Sequence, residues 1–295
     1  KFRHISDRPV FSVNGERSLY QEALKGQVLA VAYDLNGIPI KVTRVQNHGV
    51  IDDLYTYDGQ LGPVYTDDGI TLKIWAPTAQ NVTLSIFDNS KNEIDTVDPT
   101  EYQSQNGVWV FEGSDEWDRH FYRLNVTVFH PENNEINTFE VTDPYSVSLS
   151  TDSHYSQFVN LKDDDLKPSG WDQLQKELPH PTDITLYEAH MRDFSIIDET
   201  VPEDHRGTYL AFTHNGENGN ELSNAMAHLK RLSESGLTHL HLLPINDIAS
   251  IKENKSDRVD LDDLFNRICE VIGTNEQLSD DCENYGTTPI REVFE

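Results

Sequence analysis

The sequence predicts a multidomain protein in which an immunoglobulin-like β-sandwich precedes the beginning of an α/β domain. Two observations predict this order. Residues 59–150 read as about seven short alternating strands separated by polar turns, a spacing typical of such a sandwich. From residue 183 a strand, a helix and a second strand follow one another, and a crossover of that length implies parallel pairing. At 295 residues the chain is long enough for two or three such domains.

The first 58 residues contain one clear strand, within "GQVLAVAYDLNG", which ends in a turn at Asn36-Gly37. We interpret residues 1–58 as the end of a preceding small β domain. In the next segment "GITLKIWAP" alternates apolar and polar residues and stops at Pro77, which is typical of a half-buried strand. We therefore predict that the sandwich spans residues 59–165.

Residues 166–182 are polar and interrupted by prolines, so we predict a connector there. The strand "DITLYEAHMRDFS" follows it. In "ELSNAMAHLKRLSESG" the apolar residues share one face of a helix, and Gly236 is placed to end that helix. "LTHLHLLPIND" is the second strand, and we assign residues 183–295 to the α/β domain.

The balance of charge excludes some partners. The chain has 51 acidic and 23 basic residues, and its formal net charge is −28. Such a field repels phosphate backbones and anionic lipids, so we expect neither nucleic acid nor a membrane surface as a partner, whereas a neutral sugar is unaffected. No apolar run approaches the roughly 20 residues that span a bilayer. We expect any signal peptide to lie upstream or to have been removed.

The stretch "LYEAHMRDFS" packs four ionisable side chains, Glu188, His190, Arg192 and Asp193, into a segment that otherwise reads as a buried strand. Its two carboxylates suggest a glycosidase pair, but an extended chain places them roughly 16 Å apart. Retaining glycosidases need about 5–5.5 Å. We therefore predict a structural cluster whose charges pair with one another and with neighbouring loops. His190 is the member that we keep as a candidate for a substrate cleft.

Flat aromatic rings are the side chains on which a glucose ring stacks. We select Trp117, in "SDEWDRHFY", and Trp109 as stacking candidates. The alternative for Trp109 is the sandwich core, because it lies inside an alternating strand, and Trp117 equally suits the edge of the sandwich.

Two acidic runs and two cysteines leave alternatives open. The runs "DDD" at 163–165 and "DRVDLDD" at 257–263 suit calcium, but neither has the spacing of an EF-hand loop, and a solvated acidic surface is the other interpretation. Cys269 and Cys282 suit one disulfide in an oxidising compartment and equally two reduced thiols. They lack the neighbours that a zinc site requires.

Several of these segments carry a family resemblance. "LYEAHMRDFS" with "HLKRLSESGLTHLHLLPINDIASI" resembles the first strand, first helix and second strand of the catalytic (β/α)8 barrel of type I pullulanases. These are starch-debranching enzymes of the α-amylase superfamily, glycoside hydrolase family 13. "DGITLKIWAPTAQNVTLSIFD" is similar to the starch-binding-type sandwich that precedes this barrel, and "LFNRICEV" resembles an insertion of secreted bacterial pullulanases, which we place from about residue 248.

The resemblance implies hydrolysis of α-1,6-glucosidic bonds in pullulan, starch or glycogen by a retaining mechanism, with no cofactor required for the chemistry. A barrel needs at least about 200 residues, whereas 113 remain from residue 183 onward (295 − 182). The family's catalytic carboxylates follow later strands, so we carry over no catalytic residue and expect this chain alone to be inactive. Its partners would be an α-glucan and the remainder of its own polypeptide, which completes the barrel.

The resemblance also bears on the candidates. It places Asn246 and Asp247, after the second strand, among the loops on the substrate side of the barrel. It favours a disulfide between Cys269 and Cys282, and a secreted, periplasmic or cell-surface bacterial location. Two alternatives remain: a related superfamily member such as an isoamylase or branching enzyme, and a non-catalytic α-glucan-binding protein.

Overall fold

The structure, a computed structural model, describes residues 13–174, 180–217, 219–246, 251–259, 261–272 and 279–294. The chain divides into two compact units, residues 1–166 and 167–295. This division falls beside the expected end of the sandwich at residue 165, and the finer domain boundaries stay predictions. No helix within the described ranges is long and apolar enough to cross a bilayer.

The described part of the first unit begins, from residue 13, with two short helices and a hairpin. These elements are α1 (Arg17–Ala23), β1 (Leu29–Tyr33), β2 (Pro39–Arg44) and α2 (His48–Leu54). The predicted turn forms because the Asp34 carboxylate accepts the backbone N–H of Asn36 and Ile38, and Gly37 supplies a φ of +78°. Every residue of the two strands is exposed, so the hairpin has no core of its own within the described residues.

The rest of this unit is an antiparallel sandwich of a four-stranded and a five-stranded sheet, ordered β3-β4-β8-β7 and β10-β9-β5-β6, with β11 paired to β9. Its strands are β3 (Gly62–Thr66), β4 (Gly69–Trp75), β5 (Asn81–Phe87), β6 (Glu93–Val97), β7 (Glu101–Gln103), β8 (Val108–Gly113), β9 (Phe121–His130), β10 (Glu135–Val141) and β11 (Ser156–Gln157). The immunoglobulin-like sandwich is the fold that the sequence predicted.

The core of the sandwich follows the predicted alternation. Every second residue of β4 and β5 points inward, and residues of β8 and β9 together with Phe158 complete the hydrophobic core. The buried members of this core are Ile70, Leu72, Ile74, Ala79, Val82, Leu84, Ile86, Trp109, Phe111, Tyr122, Leu124 and Phe158. Burying one such side chain stabilises the fold by about 1.5–3 kcal/mol. The two sheets are therefore held together by a continuous apolar layer.

A buried hydrogen-bond network around Asp143 closes the sandwich after β10. The hydroxyl of Tyr122 donates to the carboxylate of Asp143 over 2.8 Å, and the backbone N–H of Tyr145 donates to the same carboxylate. The backbone N–H of Asp143 donates to Ser156 Oγ. Burial raises the pKa of Asp143, although the hydrogen bonds that Tyr145 and Tyr122 donate to its carboxylate oppose the shift. These hydrogen bonds tie the segment that follows β10 to β9 and β11.

In the second unit a strand, a helix and a strand run in the predicted order: β12 (Leu186–His190), α3 (Asn224–Glu234) and β13 (His239–Leu243). The two strands pair in parallel, as expected. Ser223 caps α3 by accepting the N–H of Met226, and Gly236 follows the helix with a φ of +104°. The Tyr187 ring lies against His228 of the helix, so one face of the strand pair packs on α3.

Three short helices follow within residues 261–294: α4 (Phe265–Ile272), α5 (Ser279–Tyr285) and α6 (Ile290–Phe294). Phe265 and Ile290 are buried, at 1% and 5% exposure. The N–H of Phe265 donates to Thr288 O, which ties α4 to the segment before α6. This part of the chain thus has a small apolar centre of its own.

Candidate functional site

The ionisable cluster at 188–193 is paired, as expected. Glu188 lies opposite His241 across the parallel pair, with Oε2 3.6 Å from Nδ1. Arg192 reaches Asp193 over 3.2 Å, and His190 Nδ1 lies 3.8 Å from the same carboxylate. The strand ends at His190 and the chain then turns, because Phe194 N–H donates to His190 O. The 16 Å separation expected for an extended chain is therefore an upper bound, and the structural interpretation of the cluster depends on these side-chain contacts instead.

The carboxyl ends of β12 and β13 meet at one edge of the pair, and the candidate cleft residues lie there. His190 ends β12 with an exposed side chain, and Asn246 is exposed just beyond β13. The loop after β12 reaches the same place, since Tyr209 Oη donates to Ile245 O over 3.0 Å. Asp247 lies outside the described residues. The assignment of these residues to a substrate cleft stays a prediction.

The two stacking candidates lie in or against the sandwich core. Trp109 is 5% exposed, its Nε1 donates to Ala76 O, and its ring packs on Tyr102 at 4.3 Å between centroids. This corrects our selection of Trp109, because an enclosed indole offers no face to a sugar. Trp117 is half-buried and stacks on Phe158 at 5.3 Å, so it covers the sandwich edge.

The sequence reasoning missed a group of side chains at one end of the five-stranded sheet, which we call the aromatic–basic cluster: Lys91, Phe121, His154 and Tyr155. Together with Ser150 and Thr151 they line a cavity of about 340 Å³. The Lys91 ammonium lies 2.7 Å from the centre of the Phe121 ring and 5.7 Å from that of Tyr155. Burial lowers the pKa of Lys91. Two half-buried rings beside polar groups can hold an apolar sugar face and its hydroxyl edge.

The sequence offered little signal for this cluster. Its members come from the turn after β5, the start of β9 and the segment before β11, and only pairing of these segments brings them together. Lys91 is placed by its left-handed backbone, with φ at 65°. Tyr155 lies in a stretch whose polar composition hides an aromatic ring that packs edge-on against Phe87.

Arginines pair with the acidic runs proposed for calcium. In the first run Arg119 Nη2 lies 2.6 Å from Asp163 and 3.0 Å from Asp165. In the second, Arg291 pairs with Asp262, and Arg267 pairs with Asp263. No group of three His, Cys, Asp or Glu suited to a metal occurs in the described part of the chain. The pairing favours the interpretation of these runs as surface structure.

Cys269 and Cys282 lie side by side. Their Sγ atoms lie at bonding distance and their Cα atoms are 6.3 Å apart, which suits a disulfide. Cys269 lies in α4 and Cys282 in α5, so a bond between them would join these two helices.

Three family models match the chain, and the central one is a carbohydrate-binding module. Residues 1–53 match the pullulanase N2 domain, residues 60–146 match carbohydrate-binding module 48 (isoamylase N-terminal domain), and residues 248–295 match the pullulanase Ins domain. The central match alone would suit an isoamylase as well. The two flanking matches favour pullulanases.

Similar proteins and solved structures support the same family. A pullulanase of Klebsiella pneumoniae is 39% identical over 92% of this chain and 25% of its own length, and pullulanase 1, chloroplastic, of Arabidopsis thaliana is 37% identical over 98% and 30%. The crystal structure of a Klebsiella pneumoniae pullulanase complexed with maltotriose superimposes with a TM-score of 0.75 at 40% identity, covering 93% of this chain and 26% of that one. The chain belongs to the type I pullulanase family and carries N-terminal domains of it, as the resemblance predicted. It spans about a quarter to a third of the curated relatives' length.

Proposed function

We propose that this chain is the N-terminal portion of a debranching enzyme that hydrolyses α-1,6-glucosidic bonds in pullulan, starch or glycogen. The observation that carries the proposal is the order of the three family matches along a chain whose named relatives are pullulanases. The reaction is a retaining hydrolysis, in which one carboxylate forms a glycosyl-enzyme and another protonates the leaving oxygen. Those carboxylates belong to the polypeptide downstream of this chain.

Within that enzyme, β12, α3 and β13 form the first part of a (β/α)8 barrel. Their parallel pairing and the helix packed on one face support this assignment. The other face of the pair carries Glu188 and His241, which are about 60% exposed in this chain. Further strands complete the barrel over that face, and His190, Asn246 and Asp247 line the substrate cleft at the carboxyl ends of the strands.

Activity of the full polypeptide and of this chain tests the enzyme assignment. The full polypeptide should release reducing sugar from pullulan, whereas residues 1–295 alone should release none. In the full polypeptide Glu188→Gln should leave kcat within about threefold of wild type, since Glu188 pairs with His241 and stays clear of the reaction. Release of reducing sugar by this chain alone, lost on Glu188→Gln, would contradict the proposal.

The sandwich acts as an α-glucan-binding module, and its contact surface is the aromatic–basic cluster. Binding is weak, because a single pair of half-buried rings supplies the platform. Lys91→Ala should weaken maltotriose binding about tenfold by removing a charged donor. The exposed Lys162 offers a matched control, and Lys162→Ala should bind maltotriose as wild type does.

The compartment and the cysteine pair belong to one proposal. The enzyme works outside the bacterial cytoplasm, on the cell surface, in the periplasm or secreted, where a Cys269–Cys282 disulfide forms and persists. Mass spectrometry of unreduced digests from the native compartment should find the two cysteines in one linked peptide pair. Two free thiols in that material would contradict the proposal.

A further inference from the structure

A second cavity lies inside the first unit, where residues 24–28 and 44–51 approach the sandwich. This half-open cavity has a volume of about 510 Å³, within the 300–1,000 Å³ common for small-ligand sites. Its walls come from the turn after α1, the segment between β2 and α2, and the end of β9 with the turn before β5. The aromatic–basic cluster shares no residue with it.

Hydrogen bonds across its margin hold the cavity's walls in place. Arg44 Nη2 donates to Pro131 O over 3.0 Å, and Gln27 Nε2 donates to Asn134 Oδ1 over 3.0 Å. On the other side Gln80 Nε2 donates to Lys25 O over 3.1 Å. These bonds tie the N-terminal segment to the sandwich on both sides, so the cavity is formed before any ligand arrives.

The lining divides into an apolar floor and a polar rim. Leu24, Val28, Val128 and Phe129 supply apolar surface, and Leu24 is buried. The rim includes the amides of Gln46 and Asn47 and the hydroxyl of Thr78. Amide and hydroxyl groups both donate and accept hydrogen bonds, as sugar hydroxyls do, and the faces of a glucose ring are apolar.

Charge in the lining also suits a neutral ligand. None of the lining residues is Asp or Glu, although the chain has 51 of them. Of its cations, Lys25 lies 3.9 Å from Glu22 and over the ring of Tyr102, and Arg44 is engaged with a backbone carbonyl. Lys25 and Arg44 thus have partners at the margin of the cavity. The amides of Gln46 and Asn47 are therefore the groups that we expect to hydrogen-bond the ligand.

We propose that this cavity is a second α-glucan-binding site, which takes a short α-linked glucose oligosaccharide. The choice of sugar rests on the proposed function, whereas the site itself rests on the cavity. Two sites on one compact unit would let the chain hold a branched glucan at two points, and avidity then exceeds the affinity of either site.

Maltotriose titrated into this chain, followed by amide chemical shifts, tests the proposal. Saturable shifts of Gly26, Asn47 and Thr78 are expected. Thr78→Tyr fills the cavity and should weaken binding there at least about tenfold, while leaving the shifts around Lys91 unchanged. Thr96→Tyr, at an exposed position of β6, is the matched control and should bind as wild type does. Equal thermal melts of both variants and wild type establish that folding is intact.

Each outcome separates this site from the proposed function. Shifts confined to the residues of the aromatic–basic cluster would overturn the second site and leave α-glucan binding intact. Absence of shifts at both places would overturn both. A response of Asn47 and Thr78 to inorganic phosphate, with none to maltotriose, would overturn the second site in favour of an anion site.

Discussion

The sandwich and the strand–helix–strand of the second unit are both built on β-strands, but they bury them differently. In the sandwich each sheet covers the apolar face of the other, so alternate residues of β4 and β5 are enclosed. In the second unit β12 and β13 form a two-stranded sheet with a helix on one face, and Leu186 and Leu243 on the strands stay 58% and 39% exposed. Two facing sheets are self-sufficient, whereas a parallel pair needs further elements.

The largest expected difference between the two regions is in hydrogen exchange. Amides of β4 and β8 should exchange about a thousandfold more slowly than those of β12 and β13 in this chain, because core amides open only on global unfolding, which costs about 5 kcal/mol or more. Exchange followed by mass spectrometry with peptide resolution measures this. Equal protection of the two sets of strands would contradict the claim that the sandwich is stable by itself while the parallel pair is not.

Truncation of a core residue should be the next largest effect. Phe111 is fully buried in β8, and Phe111→Ala should lower the free energy of unfolding by about 3–5 kcal/mol through lost burial and a cavity. The matched change on β12, Leu186→Ala, should stay within about 0.5 kcal/mol, since its side chain is largely exposed. Urea unfolding of both variants provides the measurement, and similar losses would contradict the contrast.

Within the sandwich, the buried hydrogen-bond network around Asp143 provides a smaller effect to compare with truncation of the apolar core. Asp143→Ala leaves the buried Tyr122 hydroxyl without its acceptor and should cost about 1–3 kcal/mol. Asp143→Asn keeps one oxygen acceptor and should cost less.

The pH dependence of the same variants has a definite sign. The pKa of Asp143 is raised in the folded state, so between its unfolded value, about 3.9, and that raised value the native state binds more protons. This carboxyl therefore contributes a loss of stability as pH rises through that window. Unfolding free energies measured across the window should flatten in Asp143→Asn, and an unchanged slope would argue against the buried carboxyl.

A smaller effect than those in the sandwich core is expected at the start of α3. Burial would raise the pKa of Asp198, but hydrogen bonds from Thr200 and from the N–H of Ala225 outweigh it and lower that pKa. The stabilisation is present above the unfolded value and is lost as pH falls below about 4, through the folded value. Asp198→Ala should destabilise the helix by about 1 kcal/mol at neutral pH. Exchange rates of the first α3 amides report this loss, and rates equal to wild type would show that the hydrogen bond from Ala225 to Asp198 contributes no stability.

Much of the fold could be predicted because local pattern and tertiary environment agree. The alternation around Ile70, Leu72 and Ile74 predicted both the strand and its buried face, and Gly236 predicted the end of α3. The candidate sites were less predictable. Trp109 and Trp117 have the same chemistry in the sequence, and only packing distinguishes an enclosed ring from one at the sandwich edge.

The sequence by itself determined the order of the modules, the strand and helix types and the family, because these depend on local periodicity, turn chemistry and motif. Tertiary structure alone decided which side chains meet: Glu188 with His241 across parallel strands, Arg119 with the run at 163–165, and Lys91 over Phe121. It alone also formed the cavity between the N-terminal segment and the sandwich. The physical reason is that such contacts join residues remote in sequence, and their geometry is set by sheet register and packing, which no local pattern encodes.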